Sequence, residues 1–351
     1  MSEFEQEVIL GVDTHLDTHV GAVVDDLGRA RGTLVIPTTS AGSERLLAWA
    51  RSLGVLKRAG VEGTGTYGAA LARALTSAGV QVIEVNRPDR SRRRRLGKSD
   101  PTDAENAPRA VLAGDATGAP KARNGLVEAL RAVTVARRSA VKARTQAGNQ
   151  LRSLVITAPD GLRNDLLPLR LSACVARCAA FRPTDEPSLI QIVKRTMRLL
   201  ATRWLRLSEE LCELNGALAI LTARVAPSLL ACHGIGPQTA ATLLLTAGDN
   251  PQRLRSEAAL AALCGVSPLE ASSGRIVRHR LNRGGDRQAN NALWTIALTR
   301  MRGEPRTRAY VTKRTQEGRT LPEIRRCLKR YIAREIYPLL LADLAAAPSV
   351  P

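Results

Sequence analysis

The sequence predicts an α/β N-terminal domain, a helical middle region and a mostly α-helical C-terminal domain. Three short apolar segments and two strand–helix units fill the first 85 residues, a pattern typical of a mixed sheet with helices on its faces. From about residue 122 onwards, apolar positions recur at steps of three and four, which predicts helices. We therefore divide the chain into domains at 1–120, 121–225 and 226–345.

The first domain begins with a predicted three-strand meander. Its strands are "EVILGVD", "HVGAVVD" and "ARGTLVI", and "DLGR" is a hairpin turn between the last two. Ser40 is the predicted N-cap of the helix that follows. A further strand, helix and strand then complete βαβ units over residues 57–85.

The middle domain is predicted to contain two long amphipathic helices. The break "FRPTDEP" separates them, and both carry many arginines. A helical hairpin or a coiled coil is the expected arrangement. Such an element favours self-association, so we expect a homodimer or a homotetramer.

The composition favours a polyanionic partner. The chain has 52 Lys+Arg against 32 Asp+Glu, a net charge of +20, and displacing counterions from phosphates would drive binding to nucleic acid. An arginine-rich genome is the alternative explanation. Aromatic residues make up 3% of the chain, which argues against stacking platforms for several bases.

The sequence gives no indication of a membrane or of a zinc site. No apolar run approaches the roughly 20 residues that span a bilayer, and the N-terminus lacks the features of a signal peptide. The six cysteines form no CxxC pair and fall mostly in apolar helical patterns, which is typical of a reducing cytoplasm.

Acidic residues at strand and helix ends are the first candidate site. Asp13 and Glu62 each end an apolar strand, and Asp100 and Asp103 stand at the start of a helix. Carboxylates that converge in this way are suitable ligands for Mg²⁺. Alternatively, Asp100 and Asp103 only cap their helix, or Asp17 replaces Asp13 as the ligand.

Two glycine motifs allow more than one interpretation. Gly63-x-Gly65-x-x-Gly68, followed by Glu84, matches a dinucleotide-binding fingerprint, but it comes after the fourth strand and directly after an acid. Gly234 and Gly236 fit a helix-hairpin-helix whose backbone N–H groups bind a DNA phosphate, although a plain helical turn is the alternative.

Serines and arginines supply further candidates. Ser272-Ser273-Gly274 is a small element in a basic stretch, and a serine becomes a nucleophile only when its proton is removed and cations hold the phosphate. The candidate nucleic-acid-binding cations of this stretch and of the arginine run are Arg275, Arg278, Arg280, Arg92, Arg93, Arg94, Arg95 and Lys98.

Three sequence blocks resemble the DEDD transposases of bacterial insertion sequences, a family that includes the Piv-type site-specific invertases. They are "GVDTHLDTHV", "GVEGTGTYG" and "GKSDPTDAENAPRA". The N-terminal domain of that family resembles the RuvC Holliday-junction resolvase, an RNase H-like fold. The resemblance maps its four acids onto Asp13, Glu62, Asp100 and Asp103. Its serine nucleophile maps onto Ser273, or onto Ser272 if the register shifts by one.

The resemblance implies a recombinase that uses Mg²⁺ or Mn²⁺ and acts on double-stranded DNA, at element ends or a circle junction and at a target. It also implies a structured noncoding RNA that bridges the two DNAs, and a bacterial cytoplasmic, nucleoid-associated location. Ala289-Asn290 departs from the family pattern, which puts an arginine role there in doubt. The alternatives are a RuvC-like metal-dependent nuclease or junction resolvase without covalent serine chemistry, and a non-catalytic scaffold.

Overall fold

The computed structural model describes residues 6–85, 100–123, 125–250, 254–275 and 279–347, with backbone only at 100–103 and 279. The chain divides into two compact units. The first comprises Met1–Asn124 with Ala247–Ser256, and the second comprises Gly125–Thr246 with Glu257–Pro351. Among the described helices, none has an apolar stretch long enough to cross a membrane.

A five-stranded mixed sheet forms the centre of the first unit, in the order β3-β2-β1-β4-β5. Its strands are β1 (Glu7–Thr14), β2 (Thr18–Asp25), β3 (Ala30–Pro37), β4 (Val55–Glu62) and β5 (Gln81–Val85). The first three strands pair antiparallel, whereas β4 is parallel to both β1 and β5. The predicted meander and the two crossover units are confirmed.

Helices cover both faces of this sheet. They are α1 (Ser40–Ser52), α2 (Ala69–Ser77) and α3 (Asp100–Leu112). Alternate strand residues such as Leu10, Val12 and Val61 pack on the face that carries α1 and α2. The opposite face buries Ile9 and other apolar side chains against α3.

The N-cap of α1 differs from the prediction by one residue. Thr39 has extended backbone dihedrals, and its hydroxyl accepts a hydrogen bond from the N–H of Gly42 at 3.1 Å. Ser40 already lies in the helix, so its prediction as the cap is wrong. Threonine and serine are both good caps, and sequence preference alone does not choose between neighbours of this kind.

The contact between α3 and the sheet is unusually close because two strand positions lack a side chain. A Cβ atom at Gly11 of β1 would lie 1.9 Å from Cδ of Pro108 and 2.7 Å from the carbonyl oxygen of Ala104. At Gly60 of β4 it would lie 2.9 Å from the carbonyl oxygen of Ala107. Glycine inside a strand commonly marks such a close approach of another backbone.

We expect Gly11→Ala to lower the free energy of unfolding by about 3 kcal/mol, because the new methyl group would displace the backbone of α3. Chemical denaturation of the full chain measures the change. Gly216→Ala is the matched control, since a Cβ there meets nothing within 4 Å, and alanine favours a helix. Equal stability of Gly11→Ala and the wild type would contradict the close packing of α3.

Two long helices pack side by side in the second unit. They are α4 (Leu126–Ile156) and α7 (Leu189–Val225), connected through α5 (Asp160–Leu166) and α6 (Leu171–Ala179). Arg137 of α4 donates to Asn215 of α7 at 2.7 Å, whereas Val155 packs near Met197. Because the later residue of α4 pairs with the earlier residue of α7, the two helices are antiparallel.

The rest of the second unit is mostly helical, as predicted. Its elements are α8 (Pro227–Leu230), α9 (Pro237–Ala247), α10 (Glu257–Leu263), β6 (Leu269–Glu270), β7 (His279–Arg280), α11 (Arg287–Gly303), α12 (Pro305–Gln316) and α13 (Leu321–Ala346). Strands β6 and β7 pair antiparallel as a small hairpin. The central helices α11 and α13 pack together and bury Leu293, Ile296, Ile332 and Ile336.

Candidate active site

Asp13 and Glu62 lie at the same edge of the central sheet. Strands β1 and β4 are parallel neighbours in which Val12 pairs with Val61, and each acid is the next residue along its strand. Neighbouring strands are roughly 4.8 Å apart, so the two backbones are close at this point. The topology therefore brings together two carboxylates that are 49 positions apart in the sequence.

Both acids also face the same side of the sheet. Side chains alternate along a strand, and each acid is two residues beyond a glycine that contacts α3, Gly11 in β1 and Gly60 in β4. Asp13 and Glu62 therefore face the side of the sheet that α3 covers.

The first turn of α3 comes to this edge as well. Ala104 packs against Gly11, near the carboxyl end of β1. At the other end of the helix, Arg109 Nε donates to the carbonyl of Gly28 at 3.3 Å, in the turn beyond the amino end of β1. Helix α3 thus runs antiparallel to β1, and its backbone at Asp100–Asp103 lies at the edge that carries the other two acids.

Asp13 has a histidine partner. Its side chain is 13% exposed, and Oδ2 lies 3.2 Å from Nε2 of His15, whose side chain is 45% exposed. The contact of His15 with Asp13 was not predicted from the sequence. The spacing of the two residues indicates this contact. His15 is two residues after Asp13, and in an extended segment side chains two residues apart face the same side. His19 is buried, and burial is the main cause that lowers its pKa.

The turn after Glu62 is packed against the end of β1. The hydroxyl of Thr14 donates to the carbonyl of Glu62 at 2.9 Å. Gly63 adopts a φ of 63°, which favours glycine, and a Cβ at Gly68 would lie 2.8 Å from the same carbonyl oxygen. Packing of the turn therefore accounts for the glycines at these two positions.

Glu84, the acid of the dinucleotide fingerprint, takes part in the same local structure. Its Oε1 accepts a hydrogen bond from the hydroxyl of Thr64 at 2.9 Å, within the glycine turn itself. In a nucleotide enzyme this acid would bind a ribose. The local contacts account for Glu84 without a nicotinamide.

The chemistry of the acids fits a divalent metal ion. Carboxylate oxygens are the ligands that Mg²⁺ and Mn²⁺ prefer. Among the side chains that the structure describes, no group of three histidines, cysteines or acids is placed to hold an ion. The side chains of Asp100 and Asp103 lie outside the described residues, so their roles as ligands or as caps of α3 stay predictions.

Ser273 lies on an exposed loop between β6 and β7. It is three residues beyond the end of β6, and Ser272, Ser273 and Arg275 are all exposed. Gly274 has a φ of 58°, a left-handed conformation that costs other residues about 1–2 kcal/mol. Arg280 at the end of β7 is exposed too, whereas Arg278 falls outside the described residues.

The predicted phosphate-binding turn lies between α8 and α9. Gly234 has a φ of 81° and packs close to α11, whereas Gly236 is exposed. The N–H of Gly236 donates to the hydroxyl of Thr239 at 3.0 Å. The turn thus requires glycine at one position, and its helix-hairpin-helix role stays a prediction. The arginine run Arg92–Arg95 and Lys98 lie outside the described residues.

Arg300 holds this turn in place. Its side chain is 5% exposed, and its Nε donates to the carbonyl of His233 at 2.9 Å. Its two terminal nitrogens each donate to a carboxylate oxygen of Glu335 at 2.8 Å, and these bonds lower the pKa of Glu335. Sequence reasoning missed this link because Arg300 is 67 positions from the turn.

We expect Arg300→Met to lower the free energy of unfolding by about 2 kcal/mol, less than for a fully buried pair because Glu335 is 45% exposed. The pair stabilises the chain above the ordinary pKa of Glu335 and loses its effect as the pH falls through the lowered folded-state value. Denaturation at pH 7 and at a series of pH values below the ordinary pKa of Glu335 measures both effects. Arg302→Met, at an exposed position, is the control. An equal loss of stability in Arg302→Met would contradict the stabilising role of the Arg300–Glu335 pair.

Comparison with known proteins agrees with this geometry. The family model of the IS110-type DEDD transposases, described as "Transposase", matches residues 10–158. A second, described as "Transposase IS116/IS110/IS902 family", matches residues 226–312. The first match covers Asp13, Glu62, Asp100 and Asp103, and the second covers Ser273. Together the two models match more than half of the chain.

A curated relative supports the same assignment. The "Insertion element IS110 uncharacterized 43.6 kDa protein" of Streptomyces coelicolor is 35% identical over 104 residues, which are 29% of this chain. The matched stretch spans 25% of the relative's length. DEDD families of this kind imply a divalent metal cation as cofactor. The chain belongs to the IS110 family of DEDD transposases.

Proposed function

We propose that the chain is an insertion-sequence transposase, a DNA recombinase that cuts and rejoins DNA strands. Its chemistry uses an acid cluster of Asp13, Glu62, Asp100 and Asp103 and a serine nucleophile at Ser273. The observation that carries the proposal is the convergence of three acid-bearing segments, β1, β4 and the first turn of α3, at one edge of the sheet.

The four acids of the cluster would hold Mg²⁺ or Mn²⁺. When bound, such an ion supplies positive charge that stabilises the oxygens of the phosphodiester. The contribution of the chain is to fix the carboxylates. β1 and β4 set the spacing of Asp13 and Glu62, and His15 orients the carboxylate of Asp13.

In the proposed cleavage step, the Oγ atom of Ser273 forms a bond to the phosphorus of the scissile phosphodiester. The bond from phosphorus to one strand oxygen breaks, and that oxygen gains a proton and becomes a free hydroxyl. The serine loses its own proton, so the step is balanced and needs no redox partner. The phosphoserine link conserves the bond energy, and a hydroxyl of the new DNA can later displace the serine.

The proposed partners are double-stranded DNA, at element ends or a circle junction and at a target, and a structured noncoding RNA as guide. Their common feature is a negatively charged sugar–phosphate backbone, which suits the net charge of +20. Residues 275–334 alone contain 17 Lys+Arg against 4 acids. A helix-hairpin-helix at Gly234 and Gly236 would add backbone contacts to DNA phosphates.

We further propose that the chain acts as a homodimer or homotetramer through its long helices. Leu189, Leu199 and Ile220 of α7 are 67–72% exposed, and each offers apolar surface to a second copy. Light scattering coupled to size-exclusion chromatography tests this point. A monomer at all concentrations would contradict it.

The direct test of function is reconstitution with DNA that carries the element ends, target DNA, Mg²⁺ and the transcript of the element. We expect recombined DNA and a protein–DNA adduct that survives denaturation. Cleavage without an adduct would instead support a metal-dependent nuclease or junction resolvase. No cleavage and no joining with any of these substrates would overturn the proposal.

A further inference from the structure

A cavity of about 680 Å³ opens in the second unit, beside the β6–β7 hairpin. Pro268 and Arg280 line it from the base of the hairpin, and the first three turns of α13 form another wall. Its volume is within the range of cavities that bind small molecules. We call it the basic cavity, because six of its lining side chains are cationic: Arg280, Arg314, Arg319, Arg326, Lys329 and Arg330.

Three of the six cations have acidic partners. Arg330 forms a bidentate pair with Glu257, Arg314 pairs with Glu317, and Arg319 lies 3.9 Å from Glu323. In each of these pairs the acid neutralises the charge of the arginine, so these three arginines contribute little net charge to the cavity.

The other three cations have no ion pair in the described part of the chain. Arg280 and Arg326 are exposed, and Lys329 is partly buried with only the amide oxygen of Asn290 as acceptor, at 2.8 Å. Burial and the nearby Arg326 lower the pKa of Lys329. Glu323 also lines the cavity, and its charge acts on both Arg319 and Arg326. One carboxylate offsets only part of the positive charge of the lining, so the cavity attracts an anion.

The cavity also has an apolar wall. Leu281, Ile324 and Tyr331 line it, and the side chain of Tyr331 is 48% exposed. Tyr310 contacts the ring of Tyr331 edge-on at 5.7 Å, and the guanidinium of Arg334 lies over the same ring at 5.9 Å from its centre. These two contacts fix the orientation of the Tyr331 ring. An aromatic face beside cations is the combination that holds an unstacked base with its phosphate. The low aromatic content argues against a platform for several bases, and here one tyrosine is enough for one base.

We propose that the basic cavity binds one unstacked nucleotide of a DNA strand, with its phosphate at Arg326 and Lys329 and its base against Tyr331. The inference rests on the proposed function in one respect. Arg280 lies at the base of the hairpin whose loop carries Ser273, so the cavity and the proposed nucleophile belong to the same hairpin. The cavity would then fix the strand next to the phosphodiester that is cut.

Binding of a single-stranded DNA oligonucleotide to the full chain tests the proposal by fluorescence anisotropy. We expect Arg326→Ala and Lys329→Met each to weaken binding about tenfold and to reduce the salt dependence by about 0.7 in log–log slope. Arg308→Ala is the matched control, at an exposed position of α12 outside the cavity. Losses no larger than that of Arg308→Ala would overturn the proposal.

Photo-crosslinking locates the base. An oligonucleotide that contains 5-iododeoxyuridine should crosslink to Tyr331, and Tyr331→Ala should remove that peptide from the mass spectrum and weaken binding about tenfold. Crosslinks only at other positions would contradict the assignment. Tighter binding of an RNA strand of the same sequence would overturn the choice of DNA.

The same measurements on a Ser273→Ala chain separate this inference from the proposed function. Binding and crosslinking do not require the serine, so both should be unchanged. If the wild type forms a covalent adduct but the cavity variants bind DNA as tightly as the wild type, this inference alone is contradicted. If the cavity variants bind DNA more weakly but the wild type forms no covalent adduct, the serine mechanism alone is contradicted.

Discussion

Replacing Ser273 with alanine is expected to abolish the covalent protein–DNA adduct and to reduce strand cleavage by about 10⁴-fold or more. The reason is that the phosphoserine bond cannot form without the Oγ atom. The measurement is a denaturing gel of end-labelled DNA after incubation with the protein, Mg²⁺ and the element transcript. The fold should be unaffected, because Ser273 is exposed on the β6–β7 loop.

Ser272→Ala is the matched control for this experiment. It makes the same chemical change one residue earlier, at another exposed position, and we expect the adduct to persist. An adduct that survives Ser273→Ala but disappears with Ser272→Ala would identify Ser272 as the nucleophile. Cleavage that survives both variants would reject serine chemistry and favour a metal-dependent nuclease.

The position of the acids at the sheet edge could be predicted from the sequence because it depends on local patterns. Apolar segments that end at Asp13 and Glu62 predict strands, and the carboxyl ends of parallel neighbours share an edge. The sequence also contains an indication of where α3 packs on the sheet. Gly11 and Gly60 are glycines inside strands, and such glycines commonly mark the close approach of another backbone.

The basic cavity could not be predicted in the same way. Its walls come from three separate segments, 265–268, 280–282 and 314–331, and no periodic pattern connects them. Which arginines remain available depends on partners distant in the sequence. Arg330 is paired with Glu257, 73 positions away, whereas Arg326 on the same helix forms no ion pair in the described chain and interacts with Glu323 only over a longer distance. Charge composition predicts a basic surface but does not show which cations are already neutralised.

The second large effect is expected from Asp13→Asn, which keeps the shape of the side chain and removes its charge. We expect metal-dependent cleavage to fall by at least about 10²–10³-fold, because the carboxylate would no longer help to hold the ion that stabilises the phosphodiester oxygens. Glu62→Gln should have a comparable effect from the neighbouring strand. Asp17→Asn is the control, since Asp17 is exposed in the loop between β1 and β2.

A readout other than activity distinguishes a metal ligand from a structural residue. Ions that bind only the folded state raise the melting temperature, so Mg²⁺ or Mn²⁺ should stabilise the wild type and Asp17→Asn but not Asp13→Asn. Without metal, Asp13→Asn should melt at the same temperature as the wild type or higher, because two carboxylates on adjacent strands repel each other. If instead Asp17→Asn lost the metal response and Asp13→Asn kept it, the ligand would be the residue in the loop and the strand-end cluster would be wrong.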